Sequence, residues 1–128
     1  MGKRFAALPY RKSKNGEAEI LIITSRDTGR WIIPKGRAEK NTSAHRVAAK
    51  EAREEAGVLG RITKRPVGKF RDAGGNDRVT VYALKVRKKL KRWLEKGQRD
   101  AMWLPARKAA RKVKVKGLRA LVRGFSKK

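Results

Sequence analysis

Residues 36–58 read GRAEKNTSAHRVAAKEAREEAGV, and this stretch guides the interpretation of the whole chain. Its second half predicts a helix over Ala44–Ala56. Either Thr42 or Ser43 is a suitable cap for the start of that helix, because both side chains accept hydrogen bonds from free backbone N–H groups. Gly57 predicts its end, since glycine readily adopts the left-handed conformation that terminates helices.

Three of the eleven acids of the chain lie near the end of this predicted helix: Glu51, Glu54 and Glu55. Spacings of three and four residues place their carboxylates on one side of a helix. Like charges so placed repel, and a divalent cation such as Mg²⁺ or Mn²⁺ would stabilise them while leaving positions for water and phosphate. The alternative is a solvated helix face on which Lys50 pairs with Glu54.

The stretch resembles the Nudix box, G-x5-E-x7-R-E-U-x-E-E-x-G-U, where U is an aliphatic residue. The residues that match in register are Gly36, Glu51, Ala52, Glu54, Glu55, Gly57 and Val58. Two positions depart from the motif, because Thr42 stands where it has Glu and Lys50 where it has Arg. The Thr42 side chain has no negative charge with which to bind a cation. Lysine lacks the guanidinium group that holds a carboxylate by bidentate hydrogen bonds. These departures predict reduced activity, or alternatively an inactive relative that only binds its ligand.

The resemblance extends beyond the box. Residues 25–34 (SRDTGRWIIP) and 97–103 (GQRDAMW) are similar to the branch that includes diphosphoinositol polyphosphate and diadenosine polyphosphate phosphohydrolases. The triplet Pro34-Lys35-Gly36 is similar to the form found in several dinucleoside polyphosphate hydrolases. The resemblance implies a single Nudix domain over residues 1–128, with an α/β/α sandwich around a central mixed sheet.

The resemblance also implies a reaction, namely metal-dependent hydrolysis of a diphosphate linkage by attack of water on phosphorus. Mg²⁺ or Mn²⁺ is the implied cofactor, and a dinucleoside polyphosphate or a diphosphoinositol polyphosphate is the implied substrate. The implied metal ligands and catalytic groups are Glu51, Glu54 and Glu55, joined at the metal by the backbone carbonyl of Lys35. The implied substrate-binding residues are Arg11, Arg26, Lys35, Gly36 and Arg99.

Apolar runs between turn signals predict the remaining elements. Strands are expected at 18–24, at 31–33 before Pro34, and at 79–86 after a turn at 74–77. Two further helices are expected at 106–112 and 118–125. Helices that interrupt a series of strands indicate one domain of the α/β or α+β class.

The charge of the chain is extreme. It has 37 Lys+Arg and 11 Asp+Glu in 128 residues, for a formal net charge of +26. Such a balance favours binding to nucleic acid or another polyanion, because clustered cations release counterions from phosphate polymers. The basic residues are nevertheless spread along the whole sequence, which is equally typical of a surface engineered for high charge. Both alternatives stand beside the enzyme interpretation.

Three further features of the sequence limit the possible classes of function. The absence of cysteine excludes a disulfide framework and thiolate metal sites. No apolar run of about 20 residues is present, so no membrane span is expected. The first ten residues lack the apolar core of a secretory signal, and a cytoplasmic location is expected.

Overall fold

The structure is a computed structural model that describes residues 3–72 and 77–125. Eight strands and three helices lie in these residues. The strands are β1 (Lys3–Lys12), β2 (Ala18–Thr24), β3 (Trp31–Ile32), β4 (Lys35–Arg37), β5 (Val58–Ile62), β6 (Gly68–Arg71), β7 (Arg78–Lys89) and β8 (Ala101–Pro105). The helices are α1 (Ala44–Ala56), α2 (Ala106–Lys112) and α3 (Lys116–Phe125).

All eight strands belong to one mixed sheet, whose main order is β3-β2-β1-β7-β5. The central strands β1 and β7 run parallel, and the other pairings are antiparallel. The short strand β4 pairs with β1, β6 pairs with β7, and β8 pairs with β2. The parallel centre of the sheet brings the starts of β1 and β7 to the same edge.

Helices cover both faces of the sheet. Ile20 and Ile22 of β2 pack in the cluster formed with α2 and α3, whereas Leu21 and Ile23 pack in the cluster formed with α1. This division explains the continuous apolar run of β2, since alternate side chains along a strand point to opposite faces. The expected α/β/α layering around a mixed sheet is confirmed.

Most of the predicted elements are confirmed with small changes in their bounds. The helices expected at 44–56 and 106–112 have those ends, and α3 begins at Lys116 instead of 118. The strand expected at 31–33 ends at Ile32, and β7 extends beyond the expected 79–86 in both directions. Positions 74–76 of the expected turn lie outside the described residues.

Strand β1 has the sequence KRFAALPYRK and was not predicted, because charged ends and an internal proline are unfavourable for a central strand. Its ladder explains why Pro9 is tolerated there. On the side away from β7, β1 pairs with β4 through residues 4–6 and with β2 through residues 10–12. Pro9 lies between these two segments, so its missing N–H removes no ladder bond on that side.

No helix among residues 3–72 and 77–125 is long and apolar enough to cross a membrane.

Candidate active site

A cavity of about 280 Å³ lies beside α1, between the start of β1 and the segment that follows β7. Its walls combine acidic groups with guanidinium and ammonium groups. The lining residues are Arg4, Ser25, Arg26, Asp27, Ile32, Lys35, Glu51, Glu55, Glu95 and Arg99. The cavity therefore contains five of the residues implied by the resemblance to bind substrate or metal, together with two acids that the motif does not mark.

Helix α1 supplies two carboxyl groups to this cavity, Glu51 and Glu55, which are one helical turn apart. Val47, Ala48 and Ala52 pack against the sheet and fix the rotation of the helix about its axis. Gly57 ends the helix with a φ of 68°, and its N–H donates to the carbonyls of the last turn. The Glu55 side chain is held in the protein as a result, with only 6% of its surface exposed.

The two carboxyl groups interact directly. Burial, together with the hydrogen bond to Glu51, raises the pKa of Glu55 to about 9. Burial also raises the pKa of Glu51, and the hydrogen bond from Glu55 opposes that increase. Near neutral pH the protonated Glu55 therefore donates to the Glu51 carboxylate, which is the arrangement expected of two acids with no cation between them.

The strand that begins at Lys35 lies directly against these carboxyl groups. The Lys35 N–H is 3.4 Å from Oε1 of Glu55. A Cβ atom on Gly36 would overlap the Glu51 side chain, so only glycine permits this approach. The Lys35 side chain is anchored by Asp72, with Nζ 3.1 Å from Oδ2. These contacts bring the Lys35 and Gly36 backbone next to Glu51 and Glu55.

Arg99 connects the cavity to the segment after β7. Its Nε donates to Oε1 of Glu95 at 2.8 Å, and its Nη1 donates to the carbonyl of Thr24 at 2.9 Å. Its Nη2 lies 3.7 Å from Oε1 of Glu55. Arg26 lies beside it, 3.7 Å from the same Glu95 oxygen. Arg26 and Arg99 thus reach the cavity from different elements, as the resemblance implied.

Glu95 is the site residue that sequence reasoning did not place. It was one of four acids after the box, and nothing in the local sequence distinguished it from the others. The position of Glu95 depends on tertiary structure, because its backbone N–H donates to the carbonyl of Glu54. This hydrogen bond holds residues 90–100 against α1. The only signal in the sequence is its i,i+4 spacing with Arg99.

The structure does not bring every predicted residue into the cavity. Glu54 is outside its lining, and its carboxylate lies 3.9 Å from Nζ of Lys50. Arg11 also lies elsewhere, where it pairs with Glu19 and stacks over Trp103 at 4.1 Å. The roles of these two residues stay predictions.

The two departures from the box have local explanations. Ser43 occupies the N-cap position without a side-chain cap bond, and the Thr42 hydroxyl donates to the carbonyl of Lys40. Lys50 is paired with Glu39, with its Nζ 2.9 Å from Oε2, and this hydrogen bond raises the pKa of Lys50. Glu39 thus supplies a carboxylate beside Lys50, three residues before the position at which the box has its first glutamate.

The donor set of the cavity fits a hard divalent cation. Within residues 3–72 and 77–125, no three Asp, Glu or His side chains are already arranged as a metal cage. Glu51 and Glu55 nevertheless face each other through carboxyl oxygens, which are the ligands that Mg²⁺ and Mn²⁺ prefer. A cation that displaced the proton of Glu55 would neutralise both carboxylates.

The NUDIX domain family matches residues 3–125. The chain belongs to the Nudix family. Its curated relatives include diphosphoinositol polyphosphate phosphohydrolase 2 of Rattus norvegicus, 36% identical over 91 residues, which are 71% of this chain and 50% of that protein. Nudix hydrolase 13, mitochondrial, of Arabidopsis thaliana is 30% identical over 125 residues, covering 80% of this chain and 62% of that protein. This Nudix chain thus spans between half and two thirds of the curated relatives it matches.

Solved structures share the fold of this Nudix chain. An Ap4A hydrolase from C. elegans, solved as a binary complex, superimposes with a TM-score of 0.72 and 21% identity, covering 99% of this chain and 96% of that one. The NUDIX domain of Shewanella oneidensis NrtR, complexed with ADP ribose, has a TM-score of 0.75 and 14% identity, covering 99% and 88%. The expected fold class and family are confirmed. The expected cytoplasmic location stays a prediction.

Proposed function

We propose that the chain hydrolyses a diphosphate linkage in a highly phosphorylated small molecule, with Mg²⁺ or Mn²⁺ as its cofactor. The observation that carries this proposal is the pair of facing carboxyl groups, Glu51 and Glu55, in a cavity whose walls also carry four cationic side chains. A solvated helix face would leave both carboxyls in water, whereas Glu55 is buried. Only a cation or a proton makes two such acids compatible with one another.

Different residues of the cavity have different roles in the proposed reaction. Hydrolysis forms a bond from a water oxygen to one phosphorus, breaks the bridging P–O bond and passes a water proton to a base. Glu51 and Glu55 would hold the cation, and the carboxylate of one of these two residues would also accept that proton. A bound divalent cation supplies charge neutralisation and lowers the pKa of the attacking water. Arg26 and Arg99 bind phosphate oxygens, for which the guanidinium geometry is suited.

The walls of the cavity favour a substrate rich in phosphate. A second cavity, of about 240 Å³, shares Arg4, Ser25, Asp27, Ile32 and Lys35 with the first. It adds Arg30 as a further cation. Among the described residues that line the two cavities, none is aromatic. Because a nucleobase is usually held by stacking on an aromatic ring, these walls suit a diphosphoinositol polyphosphate better than a dinucleoside polyphosphate.

The activity of the whole protein remains part of this proposal, because the chain spans only part of its curated relatives. Phosphate release is measured with Mg²⁺ on diphosphoinositol polyphosphates and on diadenosine polyphosphates at matched concentration. We expect kcat/KM to be at least about tenfold higher for the inositol substrate, equivalent to about 1.4 kcal/mol of transition-state binding. A preference for the diadenosine substrate would contradict the assignment of substrate class.

Arg30 in the second cavity allows a test of substrate binding with a matched control variant. Arg30→Gln removes a cation that lies away from the carboxyl pair, so we expect KM for the inositol substrate to rise severalfold with kcat little changed. Arg107→Gln, at an exposed position of α2, is the control and is expected to change neither constant. A fall in kcat with unchanged KM in Arg30→Gln would place this residue in the chemical step instead of in substrate binding.

A further inference from the structure

A third cavity lies at the opposite end of β1, on the face of the sheet that carries α2 and α3. It is about 600 Å³ in volume and is lined by Tyr10, Arg61, Ile62, Thr63, Lys64, Arg65, Lys85 and Arg87. We define this as the basic groove. Tyr10 marks its border with α3, because its ring meets that of Phe125 at 5.0 Å. The groove therefore begins where the helix ends and the sheet is left uncovered.

The cations of the basic groove differ in their ion pairing from those of the cavity lined by Glu51 and Glu55, which we call the carboxyl cavity. Around the carboxyl cavity Arg4, Lys35 and Arg99 each pair with an acid. None of the ion pairs found within residues 3–72 and 77–125 involves a cation of the groove. The described lining of the groove contains no acid. Its five positive charges thus stand together without compensation from the protein.

Strand pairing increases the repulsion between the cations of the basic groove. Arg61 of β5 lies directly opposite Lys85 of β7 in the ladder, and like charges in such a pair are destabilising. Between Leu59 and Gly60 the register shifts, which leaves Arg87 of β7 without a partner on β5. A Cβ on Gly60 would overlap the carbonyl of Lys85, so glycine is needed for the close approach of the two strands at this bulge. The fold thus holds Lys85 and Arg87 together at the groove.

From this geometry we infer that the basic groove binds single-stranded nucleic acid, independently of the proposed hydrolase site. Its five unpaired cations suit the regularly spaced phosphates of a nucleic-acid backbone, whose binding releases condensed counterions. Tyr10 offers a half-buried aromatic ring at the edge of the groove, and bases stack on aromatic rings without sequence preference. Cations that track a backbone beside an aromatic ring are the usual composition of single-strand sites.

The groove variant for the test combines Arg61→Gln, Lys85→Gln and Arg87→Gln. The control variant combines Lys108→Gln, Arg111→Gln and Lys112→Gln at exposed positions of α2. Both triple variants remove the same charge, so they separate a local site from the general effect of the +26 surface. Thermal unfolding and phosphate release verify that each variant is folded, because none of the six residues lines the carboxyl cavity.

Binding is measured by fluorescence anisotropy with a labelled single-stranded RNA of about 12 nucleotides, a usual site size for such grooves. We expect the groove variant to bind roughly ten- to hundredfold more weakly at about 50 mM salt, and the control to change less than about threefold. The slope of log K against log salt should fall by about 2 in the groove variant, since each lost phosphate contact contributes about 0.7. Equal losses in the two variants, or tighter binding of a duplex, would overturn the proposal.

Discussion

Glu55 is the one acidic or basic side chain that the fold buries within residues 3–72 and 77–125. Glu55→Gln keeps its shape and its hydrogen-bonding capacity but cannot become a carboxylate. Because the parent takes up a proton at Glu55 on folding near neutral pH and glutamine does not, we expect the melting temperature of the metal-free variant to rise. The rise in melting temperature on addition of Mg²⁺ should be lost.

The measurement is thermal unfolding of the parent and the variant, each with chelator and with Mg²⁺. Glu17→Gln, at an exposed position outside the cavity, is the matched control and should respond to Mg²⁺ as the parent does. An unchanged response to Mg²⁺ in Glu55→Gln would remove this residue from the metal site.

The pKa of Glu55 also sets a pH dependence for the metal-free protein. Its folded value of about 9 lies above its ordinary value of 4.5, so the folded state binds more protons than the unfolded state between these limits. The free energy of unfolding should therefore decrease as pH rises from about 5 to 9. Urea unfolding at several pH values measures this slope, which should flatten in Glu55→Gln. The same slope in the variant would show that another group titrates.

Gly36 provides a residue-scale test of how the carboxyl groups are positioned. In Gly36→Ala the new methyl group would displace the Glu51 side chain. We expect kcat to fall on the order of a hundredfold, since small displacements of catalytic groups have effects of this size. Gly124→Ala on α3 is the control, because open space surrounds that position. Unchanged kcat in Gly36→Ala would contradict the role given to Glu51.

At the scale of the element, the end of α1 determines how residues 90–100 reach the cavity. Gly57 combines a φ of 68° with close packing against the Trp93 ring. Lys89 donates to the carbonyl of Ala56 at 3.0 Å and lies over the same ring at 4.1 Å. Burial lowers the pKa of this lysine. The glycine, the aromatic ring and the lysine together join the helix to the segment that carries Glu95.

Gly57→Ala should therefore damage both the helix end and this junction. We expect a loss of about 1–2 kcal/mol from the left-handed backbone alone, and a further loss because the new methyl group would overlap Trp93. Urea unfolding provides the measurement. Gly16→Ala has the same backbone cost with open space around it, so it isolates the contribution of the packing. Equal losses in the two variants would show that Trp93 adds nothing.

Helix α1 and strand β1 differ in how far their structure could be predicted from the sequence. Helix α1 was predictable to the residue, because its apolar period, polar start and terminal glycine all lie within a short segment. Strand β1 was not, since Pro9 is acceptable only through the particular gap between β4 and β2. Glu95 was likewise beyond local pattern, because a long-range backbone hydrogen bond to Glu54 places it. The resemblance named the cavity residues Glu51 and Glu55 on α1 and also Arg26, Lys35 and Arg99 outside it, and the tertiary fold added residues such as Glu95.

At the scale of the whole molecule, the net charge of +26 opposes folding. Repulsion between exposed cations is screened over about 10 Å at roughly 0.1 M salt. We expect the melting temperature to rise by several degrees as KCl increases from low to moderate concentration. Sucrose at equal osmolality is a control that does not screen charge. A melting temperature that falls with KCl would show that ion pairs such as Lys35–Asp72 outweigh the repulsion.

The few acidic residues are distributed unevenly between the cavity beside α1 and the basic groove. Four of the eleven acids line the cavity beside α1, namely Asp27, Glu51, Glu55 and Glu95. The basic groove has none among its described lining residues. The enzyme interpretation and the polyanion-binding interpretation therefore concern two different surfaces of the same fold.

The most direct test of the central claim is phosphate release from a diphosphoinositol polyphosphate by the parent and by Glu55→Gln. Each is assayed with Mg²⁺ and with excess chelator, after circular dichroism has shown that both are folded. We expect turnover only by the parent with Mg²⁺, and a loss of at least about a hundredfold in the variant, equivalent to about 2.7 kcal/mol. Equal turnover by the two proteins, or turnover that survives the chelator, would contradict the proposal.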